Sequence, residues 1–289
     1  MKRTDIVMTP YLENFLNFDL GHMNIDRYPN RIADIDYSDG LKLDLYYPEE
    51  KKEKYSLVIS VFGGGWVSGF KTDKFVEPMI QPVNEGFIVA VPDYTLALDA
   101  PFPQSVIDIK KCISFLRSHS EEYKIDVDNI TLWGESAGAH LVLEAGLVEN
   151  SSLLLALDTR VKNIISFYGN ANPRTVNEQA VKLGIYETAH STEDSVFGIY
   201  MGQGFKDERM MNLASPICWI NEHMPNIILE HGTKDNLVPY LQSVEFFNTA
   251  KEKYPDSHVT LSIYDGLAHT DPYFFSPEHV HYLMNMIQK

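Results

Sequence analysis

The sequence is poor in cysteine. Only Cys112 and Cys218 occur among 289 residues, and they stand far apart, with no CxxC spacing and no neighbouring pair of histidines. The sequence therefore predicts neither a disulfide framework nor a thiolate metal site. Because each cysteine lies in an apolar stretch, both are expected to be small buried hydrophobic residues.

Basic residues are also scarce. The chain has 24 Lys and Arg against 40 Asp and Glu, which gives a formal net charge of −16 at pH 7. Such a surface repels phosphate backbones and anionic lipid, so neither nucleic acid nor a membrane is an expected partner. No apolar run is long enough for a transmembrane helix, and the N-terminus shows no secretory signal. The default expectation is a cytoplasmic protein.

Short apolar runs alternate with amphipathic stretches along the chain, without repeats or low-complexity linkers. The runs are rich in β-branched residues, as is typical of buried strands in a parallel sheet. The Asp39-Gly40 dipeptide predicts a hairpin turn before the first of them. Strands are predicted at Leu41–Tyr47, Leu57–Phe62, Phe87–Val91, Asn129–Trp133, Ile164–Tyr168, Ile227–Glu230 and Val259–Tyr264.

Helical patterns lie between these strands. They are predicted at Ser105–His119, Ala137–Val148 and Tyr240–Lys253. In the first of these, an apolar stripe is predicted to hold Val106, Ile109, Ile113 and Leu116. In the last, the predicted stripe holds Leu241, Val244, Phe247 and Ala250. The alternation indicates an α/β fold: a mostly parallel sheet flanked by helices, as one domain over residues 1–289. Residues from 170 to about 212 are polar, glycine-containing and too long for an ordinary connection, so we expect a small lid-like insertion there.

Ser136 is the centre of a GxSxG motif, Gly134-Glu135-Ser136-Ala137-Gly138, between a predicted strand and a predicted helix. A nucleophilic serine needs a tight turn of this kind, which holds its hydroxyl out at the carboxyl end of a sheet. Small flanking residues permit the bend, and the helix N-terminus favours developing negative charge. Ser136 is therefore the predicted nucleophile.

A run of three glycines, in Phe62-Gly63-Gly64-Gly65-Trp66, directly follows another predicted strand. Consecutive glycines let the backbone approach a ligand closely and point amide hydrogens at one oxygen. Acyl transfer needs such donors for the tetrahedral oxyanion, and losing one costs about 3–4 kcal/mol. The segment is thus a predicted oxyanion loop.

A serine nucleophile also needs a base and a group that orients the base. Asp235 and His269 follow two predicted strands on loops, in the chain order Ser–Asp–His that α/β-hydrolases use. Asp194 and Asp207 fall in the insertion, and Asp265 is too close to His269 to orient it from another strand. The remaining histidines are expected elsewhere: His258 at the opposite sheet edge, His279 and His281 packed or solvent-facing in a terminal helix, and His140 and His231 in structural roles.

These motifs resemble those of the α/β-hydrolase superfamily, and within it the hormone-sensitive-lipase-like esterases together with the acetyl-xylan and feruloyl esterase group. The match runs from about Asp34 to Asp271, and FGGGW stands for the family's HGGGW. The other matching segments are Asp93–Asp99 (DYTLALD) with Pro101-Phe102-Pro103, Gly134–Leu141 (GESAGAHL), Ser215-Pro216, and His231–Pro239 (HGTKDNLVP). Phe62 replaces the family histidine, Thr95 and Leu98 replace an arginine and a proline, and Glu135 replaces an aspartate.

The resemblance implies a serine carboxylesterase that acts on a small-molecule ester without a metal or organic cofactor. Ser136, His269 and Asp235 would form its triad. The family pattern assigns the amides of Gly64 and Gly65 as oxyanion donors. The amide of Ala137 is a further expected donor, because Ala137 directly follows the nucleophile. The expected substrates are small acyl esters, above all acetyl esters, including those of sugars. Bulky residues expected around a small acyl pocket are Trp66, as a substrate-binding residue, and Tyr186, Phe197, Tyr200 and Phe205.

Two alternatives stay open at this stage. Arylformamidases share a similar glycine–tryptophan oxyanion motif, so the same residues could cleave a formamide. The second alternative is a catalytically silent hydrolase fold that binds a ligand or a protein. A binding module, however, has no need to keep Ser136, Asp235 and His269 together. The sequence leaves open whether the chain forms a homo-oligomer.

Overall fold

The centre of the protein is a twisted eight-stranded sheet. The computed structural model describes residues 12–13, 16–148, 157–185 and 192–288. The strands are β1 (Arg31–Ser38), β2 (Leu41–Tyr46), β3 (Tyr55–Val61), β4 (Ile88–Pro92), β5 (Ile125–Glu135), β6 (Asn163–Phe167), β7 (Asn226–Gly232) and β8 (Val259–Tyr264). Their order across the sheet is β1-β2-β4-β3-β5-β6-β7-β8. The β1–β2 and β2–β4 pairs are antiparallel, and the pairs from β4–β3 to β7–β8 are parallel.

Helices cover the sheet. They are α1 (Gln104–Ser118), α2 (Ser120–Tyr123), α3 (Ala137–Leu147), α4 (Val176–Leu183), α5 (Val196–Met201), α6 (Glu208–Leu213), α7 (Leu241–Lys253) and α8 (Pro277–Ile287). Short 3-10 helices occupy Ile25–Arg27, Glu77–Glu85, Gly202–Lys206, Pro216–Trp219 and Pro272–Phe275. Among the described residues, no helix combines the length and the apolar character that crossing a bilayer requires.

The predicted mostly parallel α/β architecture is confirmed, and the apolar pattern explains it. Strands β4 and β6 are buried at every residue, because helices lie on both faces of the sheet. Helix α3 is likewise buried at every residue, as expected for a helix made mostly of small and apolar residues. Helix α1 buries one stripe, and its exposed fraction is 0% at Val106, Ile109, Ile113 and Leu116.

Strand β1 was absent from the predicted strands. Half of its residues are exposed at the edge of the sheet, so it lacks the continuous apolar run that marks the other strands. The pairing register with β2 also shifts between Ile32 and Ile35, and Asp34 has φ of 58° there. This bulge breaks the alternation that would have revealed the strand. The predicted Asp39-Gly40 turn does connect β1 to β2.

The predicted stripe of α7 is wrong at three of its four positions. The buried residues of this helix are Gln242, Ser243, Phe246 and Ala250, whereas Leu241, Val244 and Phe247 are only partly buried. The polar pair turns inward because Gln242 hydrogen-bonds to the loop after β6 and Ser243 hydrogen-bonds to His231 near the end of β7. Hydrogen bonding of these two side chains, rather than hydropathy, therefore determines which face of α7 is buried.

The two cysteines differ. Cys112 is buried on α1, as predicted, and burial raises the pKa of its thiol. Cys218 is exposed, which corrects the prediction that it is a buried hydrophobic residue. Its apolar neighbours belong to the short helix Pro216–Trp219, whose partly exposed surface the local composition does not reveal.

Candidate active site

Ser136 occupies the turn between β5 and α3, with φ of 53°, a value that non-glycine residues rarely adopt. Two glycines make this turn fit. A Cβ on Gly134 would lie 2.3 Å from the carbonyl oxygen of Gly138, and one on Gly138 would lie 2.1 Å from that of Val61. The GxSxG spacing therefore reflects close backbone packing, which holds the Ser136 hydroxyl at the carboxyl end of the sheet.

Ser136, His269 and Asp235 form a continuous chain of hydrogen bonds, although they lie on loops after three different strands. The Ser136 hydroxyl is 3.0 Å from His269 Nε2. On the other side of the ring, His269 Nδ1 is 2.6 Å from Asp235 Oδ2. With the proton on Nδ1, the imidazole donates to the carboxylate and accepts from the serine. The structure thus brings together the three residues that the sequence predicted.

Asp235 has both carboxylate oxygens fully engaged. Its Oδ1 accepts from the backbone amides of Leu237 and Val238, each at 2.8 Å. Its Oδ2 accepts from His269 and also from His231 Nε2, which lies 3.1 Å away. Ser243 lies 2.8 Å from His231 Nδ1, where its hydroxyl donates when the ring proton is on Nε2. His231 is therefore a second ring held against Asp235, beyond the structural role predicted for it.

Charge shapes the pKa values of this pair. Burial alone would raise the pKa of Asp235, but the neighbouring His269 and the hydrogen bond from His231 outweigh it and lower that pKa strongly. Burial pushes the pKa of His269 down, and the charge and hydrogen bond of Asp235 reverse that effect, so the pKa is raised above 6.5. Asp235 thus stays ionised and makes His269 a stronger base.

The oxyanion loop is held by aromatic packing and by one carboxyl group. The Phe62 ring stacks on Tyr94 with a centroid distance of 4.4 Å. The Tyr94 hydroxyl is within hydrogen-bond distance of the carbonyls of Phe62, at 3.1 Å, and Gly63, at 3.0 Å. From the opposite side, Glu135 Oε1 accepts from the Gly63 amide at 2.6 Å. Phe62 is buried, so packing of its ring does brace the loop.

Glu135 itself has a raised pKa, because burial disfavours its charged form. The charge of His269 and the amide of Gly63 lower the pKa and oppose this effect only in part. Glu135 precedes the nucleophile in the chain and thereby ties the GxSxG turn to the oxyanion loop. The sequence showed that Glu135 replaces the family aspartate, but it did not predict this link.

The predicted oxyanion donors belong to two segments, the oxyanion loop and the first turn of α3. The loop glycines have φ of 90° at Gly64 and 57° at Gly65, and within the described ranges their amides donate no backbone hydrogen bond. Ala137 begins α3, where first-turn amides have no partner inside the helix. Gly65 and Ala137 line the cleft at Ser136, whereas Gly64 does not.

Trp66 connects the oxyanion loop to the insertion. Its Nε1 is 3.2 Å from His140 Nδ1, and its ring stacks on Tyr200 with a centroid distance of 4.8 Å. Burial lowers the pKa of His140 to about 4, so this ring stays neutral and accepts from the indole, in a structural role as predicted. Phe197 packs edge-on against Trp66 at 5.7 Å. Helix α5 of the insertion thus rests on the residue after the oxyanion glycines.

A cleft opens above Ser136 and encloses about 540 Å³, part of which is open to solvent. The lining residues are Gly65, Trp66, Ser136, Ala137, Asn170, Val176, Val196, Phe197, Leu237, Val238 and His269. Trp66 and Phe197, expected around an acyl pocket, are among them. Tyr200 and Phe205 lie behind the wall, in contact with Phe197, and Tyr186 lies outside the described residues.

Residues away from the cleft follow their predictions or serve the fold. His279 is buried with its Nε2 2.6 Å from Glu230 Oε2, and the exposed His281 pairs with Glu85 at 2.7 Å. His258 is exposed. Within the described ranges, no three His, Cys, Asp or Glu side chains are grouped to hold a metal ion.

Four side chains that the sequence analysis did not assign to the site also serve it: His231, which was expected in a structural role only, and Tyr94, Asn170 and Gln242. A signal existed for His231, which stands four residues before Asp235. For Asn170 and Gln242 no local signal existed, because they meet only through the fold.

Comparison with known proteins decides the family. A profile of the BD-FAE family matches residues 43–250, most of the chain. The chain belongs to the BD-FAE family. The predicted resemblance to hormone-sensitive-lipase-like α/β-hydrolases is thereby confirmed.

Curated relatives carry esterase names. Esterase LipQ of Mycobacterium tuberculosis is 27% identical over 232 residues, which are 76% of this chain and 52% of LipQ. The probable isoprenylcysteine alpha-carbonyl methylesterase ICME of Oryza sativa is 28% identical over 245 residues, with 82% and 56% covered. The chain therefore spans about half the length of the curated relatives it matches. Among solved structures, a truncated carbohydrate esterase from gut microbiota has a TM-score of 0.77 at 22% identity, covering 92% of this chain and 98% of that one.

Proposed function

We propose that this protein is a serine carboxylesterase that hydrolyses small acyl esters through an acyl-enzyme. The observation that carries the proposal is the hydrogen-bonded chain Ser136–His269–Asp235, at 3.0 and 2.6 Å, at one wall of a cleft also lined by Gly65 and Ala137. The esterase names of its curated relatives support the same reaction class.

In the first half-reaction, Ser136 Oγ attacks the ester carbonyl carbon while its proton passes to His269 Nε2. The carbonyl oxygen becomes an oxyanion, which the amides of Gly64, Gly65 and Ala137 stabilise. When this intermediate collapses, the bond to the alcohol oxygen breaks and His269 returns the proton to that oxygen. Asp235 keeps the ring in the Nδ1–H tautomer and stabilises the imidazolium.

In the second half-reaction, water attacks the acyl-enzyme and gives its proton to His269. Collapse releases the carboxylic acid, and Ser136 recovers its proton from the imidazolium. Every group that moves a proton is thus present in the chain, and neither step calls for a metal or an organic cofactor.

The substrate range that we propose is small acyl groups, above all acetyl, including acetyl esters of sugars. Residues from 170 to about 212 would act as a cap, because Val176, Val196 and Phe197 of this segment line the cleft. The apolar side chains of this wall suit an uncharged acyl group.

Covalent labelling tests the proposal. A fluorophosphonate should attach to the parent protein at Ser136 and leave Ser136→Ala unlabelled. Ser118→Ala is the matched control, because Ser118 is an exposed serine at the end of α1, and its loss should leave labelling intact. A parent protein that is neither labelled nor active on p-nitrophenyl acetate would be a silent hydrolase fold.

The formamidase alternative is tested by comparing rates on p-nitrophenyl acetate and N-formylkynurenine. We expect kcat/KM to favour the ester. A preference for the formamide would assign the same triad to C–N cleavage and overturn the proposed ester specificity.

A further inference from the structure

Asn170 stands at the carboxyl end of β6, which lies between β5 and β7 in the sheet. Those neighbouring strands lead to Ser136 and Asp235, so Asn170 sits between the nucleophile and the acid. Among the described residues that line the cleft, it is the one polar side chain besides Ser136, His269 and Trp66. The Trp66 indole is already engaged with His140.

The side-chain carbonyl oxygen of Asn170 has no hydrogen-bond partner within the part of the chain that the structure describes. The exposed fraction of Asn170 is 6%, and this oxygen is itself buried. A buried amide that is left unsatisfied is costly, and native structures keep few of them. An unpaired carbonyl oxygen on a side chain in the wall of a substrate cleft therefore points to a partner that arrives with the substrate.

The backbone beside Asn170 is fixed in place. Gln242 Oε1 accepts from the amides of the next two residues, Ala171 at 3.0 Å and Asn172 at 2.7 Å. Gln242 Nε2 in turn lies 3.1 Å from Thr175 Oγ1 and 2.8 Å from Gln179 Oε1. This network explains why a glutamine faces inward on α7. It holds the Asn170 loop rigidly, as a preorganised binding group requires.

The rest of the wall is apolar, namely Val176, Val196, Phe197, Leu237 and Val238. Asn170 is therefore the side chain of this wall that can hydrogen-bond to a polar substrate group. A half-turn about the Cβ–Cγ bond exchanges the oxygen and the nitrogen of the amide, so either end can face the cleft. A hydroxyl group both donates and accepts, and it therefore satisfies the amide in both orientations.

We infer that Asn170 forms a hydroxyl-binding subsite, and that the substrates of this enzyme are esters carrying a free hydroxyl group near the scissile bond. The inference rests on the proposed esterase function and deepens it, since polyol, sugar and 2-hydroxyacyl esters have such a group. Asn170 acts on specificity: it discriminates between an ester with the hydroxyl and an isostere without it. A site built to bond a hydroxyl rejects the analogue that lacks it more strongly than an apolar pocket can.

The test uses ester pairs that differ by replacement of hydroxyl groups with apolar ones. Ethyl lactate and ethyl isobutyrate probe the acyl side, and 2-hydroxyethyl acetate and propyl acetate probe the alcohol side. Methyl 6-O-acetyl-glucoside and cyclohexylmethyl acetate extend the reach to a sugar. The measured quantity is the ratio of kcat/KM for the hydroxylated ester to kcat/KM for its partner, in the parent enzyme, Asn170→Leu and Asn170→Ala.

We expect the ratio to fall by about 10-fold to 100-fold in both variants for at least one pair, with kcat/KM on the apolar partner changed by less than about 3-fold. The pair that responds tells whether the hydroxyl lies on the acyl or the alcohol side. Asn248→Leu is the matched control, because Asn248 is an exposed asparagine on α7, and its ratio should equal that of the parent. The less bulky Asn170→Ala keeps the test valid if the leucine variant fails to fold.

Unchanged ratios for all three pairs, with the parent enzyme hydrolysing the esters, would overturn the subsite and leave the esterase function standing. An equal loss on both members of every pair would also overturn it, because Asn170 would then support the loop rather than bind substrate. A parent protein that hydrolyses none of the six esters would overturn the proposed function and the subsite with it.

Discussion

The two halves of the site are held by different forces. On the acid–base side, both oxygens of Asp235 are hydrogen-bonded, to two amides and two imidazoles. On the oxyanion side, the stack of Phe62 on Tyr94 holds the loop together with hydrogen bonds from the Tyr94 hydroxyl, from Gly63 to Glu135 and from Trp66 to His140. One half depends on the direction of polar bonds, and the other combines such bonds with packed aromatic surface.

The difference predicts how each half tolerates change. Hydrogen bonds to a buried carboxylate are directional, and deleting one leaves an unpaired group in the interior. Stacked rings tolerate exchange for another group of similar volume, since packing requires shape rather than particular atoms. The family histidine is replaced by Phe62 on the packed side, while the acid–base side keeps every predicted residue.

The largest expected effect is on the acid–base side. Ser136→Ala and His269→Ala should each lower kcat by about 10⁴-fold or more, because nucleophile and base act as a unit. Asp235→Asn should cost a similar order, since the amide favours the wrong tautomer of His269. Steady-state kinetics on p-nitrophenyl acetate measures these losses.

Exposed residues of the same types provide the controls for this prediction. Ser118→Ala and His223→Ala remove an exposed serine and an exposed histidine, and both should leave kcat unchanged. If any of the three triad variants kept more than a tenth of the parent activity, that residue would have to leave the triad.

The second effect tests the packed side. Phe62→Ala removes the ring that stacks on Tyr94, so the oxyanion loop should loosen and kcat should fall by about 10-fold to 100-fold. This is less than the loss of a donor by direct deletion can reach, because the amides remain in the chain. KM should change little, since the donors act mainly on the transition state and Phe62 does not line the cleft.

Phe75→Ala controls for this loss, because Phe75 is an exposed phenylalanine outside the loop and should leave kcat at the parent value. A Phe62→Ala variant with altered KM and normal kcat would show that the ring contacts substrate. The comparison between the two halves would then have to be drawn differently.

The third effect is a shift in pH dependence. His269 acts as a base only when neutral, and its pKa is raised above 6.5 because Asp235 outweighs burial. The acidic limb of kcat/KM should therefore have its midpoint above pH 6.5. In Asp235→Asn the carboxylate that raises the pKa of His269 is gone, whereas the burial that lowers this pKa remains. The acidic limb measured on the residual activity should therefore move to lower pH.

His140 cannot produce this limb, since burial lowers its pKa to about 4. A parent midpoint at or below pH 6.5, or a midpoint that stays fixed in Asp235→Asn, would contradict the assigned coupling between His269 and Asp235. The pH–rate profile thus separates the two halves of the site. The midpoint of the acidic limb should shift in Asp235→Asn and stay at the parent value in Phe62→Ala.

The sequence revealed those parts of the site that local chemistry determines. Ser136 lies between the two glycines that its turn requires. Asp235 and His269 follow strands that the sequence shows as continuous apolar runs. These positions were predictable because a strand end and a special turn are both local features. The same locality explains the correct prediction of the buried stripe on α1.

Contacts between segments that are distant in the chain could not be predicted from the sequence. The inward-facing Gln242 and Ser243 were misjudged because their partners, the loop after β6 and His231, are brought to α7 only by folding. Strand β1 was missed because its bulge at Asp34 and its edge position remove the alternating pattern. The carbonyl oxygen of Asn170, unpaired among the described residues, had no sequence signal, since one asparagine in a loop looks like any other.

The smallest expected effect concerns acyl-chain length, and it extends the comparison to the wall that the insertion builds. Phe197 lines the cleft and rests on Trp66, with Phe205 behind it. Side chains of this size should admit acetyl to butyryl groups and little beyond, so kcat/KM on p-nitrophenyl esters should peak at two to four carbons. Phe197→Ala should move the peak to longer chains, by up to about fourfold for each added methylene, the equivalent of roughly 0.8 kcal/mol. Phe115→Ala is the control, because Phe115 lies on α1 and outside the lining residues, and it should leave the peak in place. A parent enzyme whose rates rise steadily towards octanoate would mean that the aromatic wall packs the insertion without limiting the acyl group.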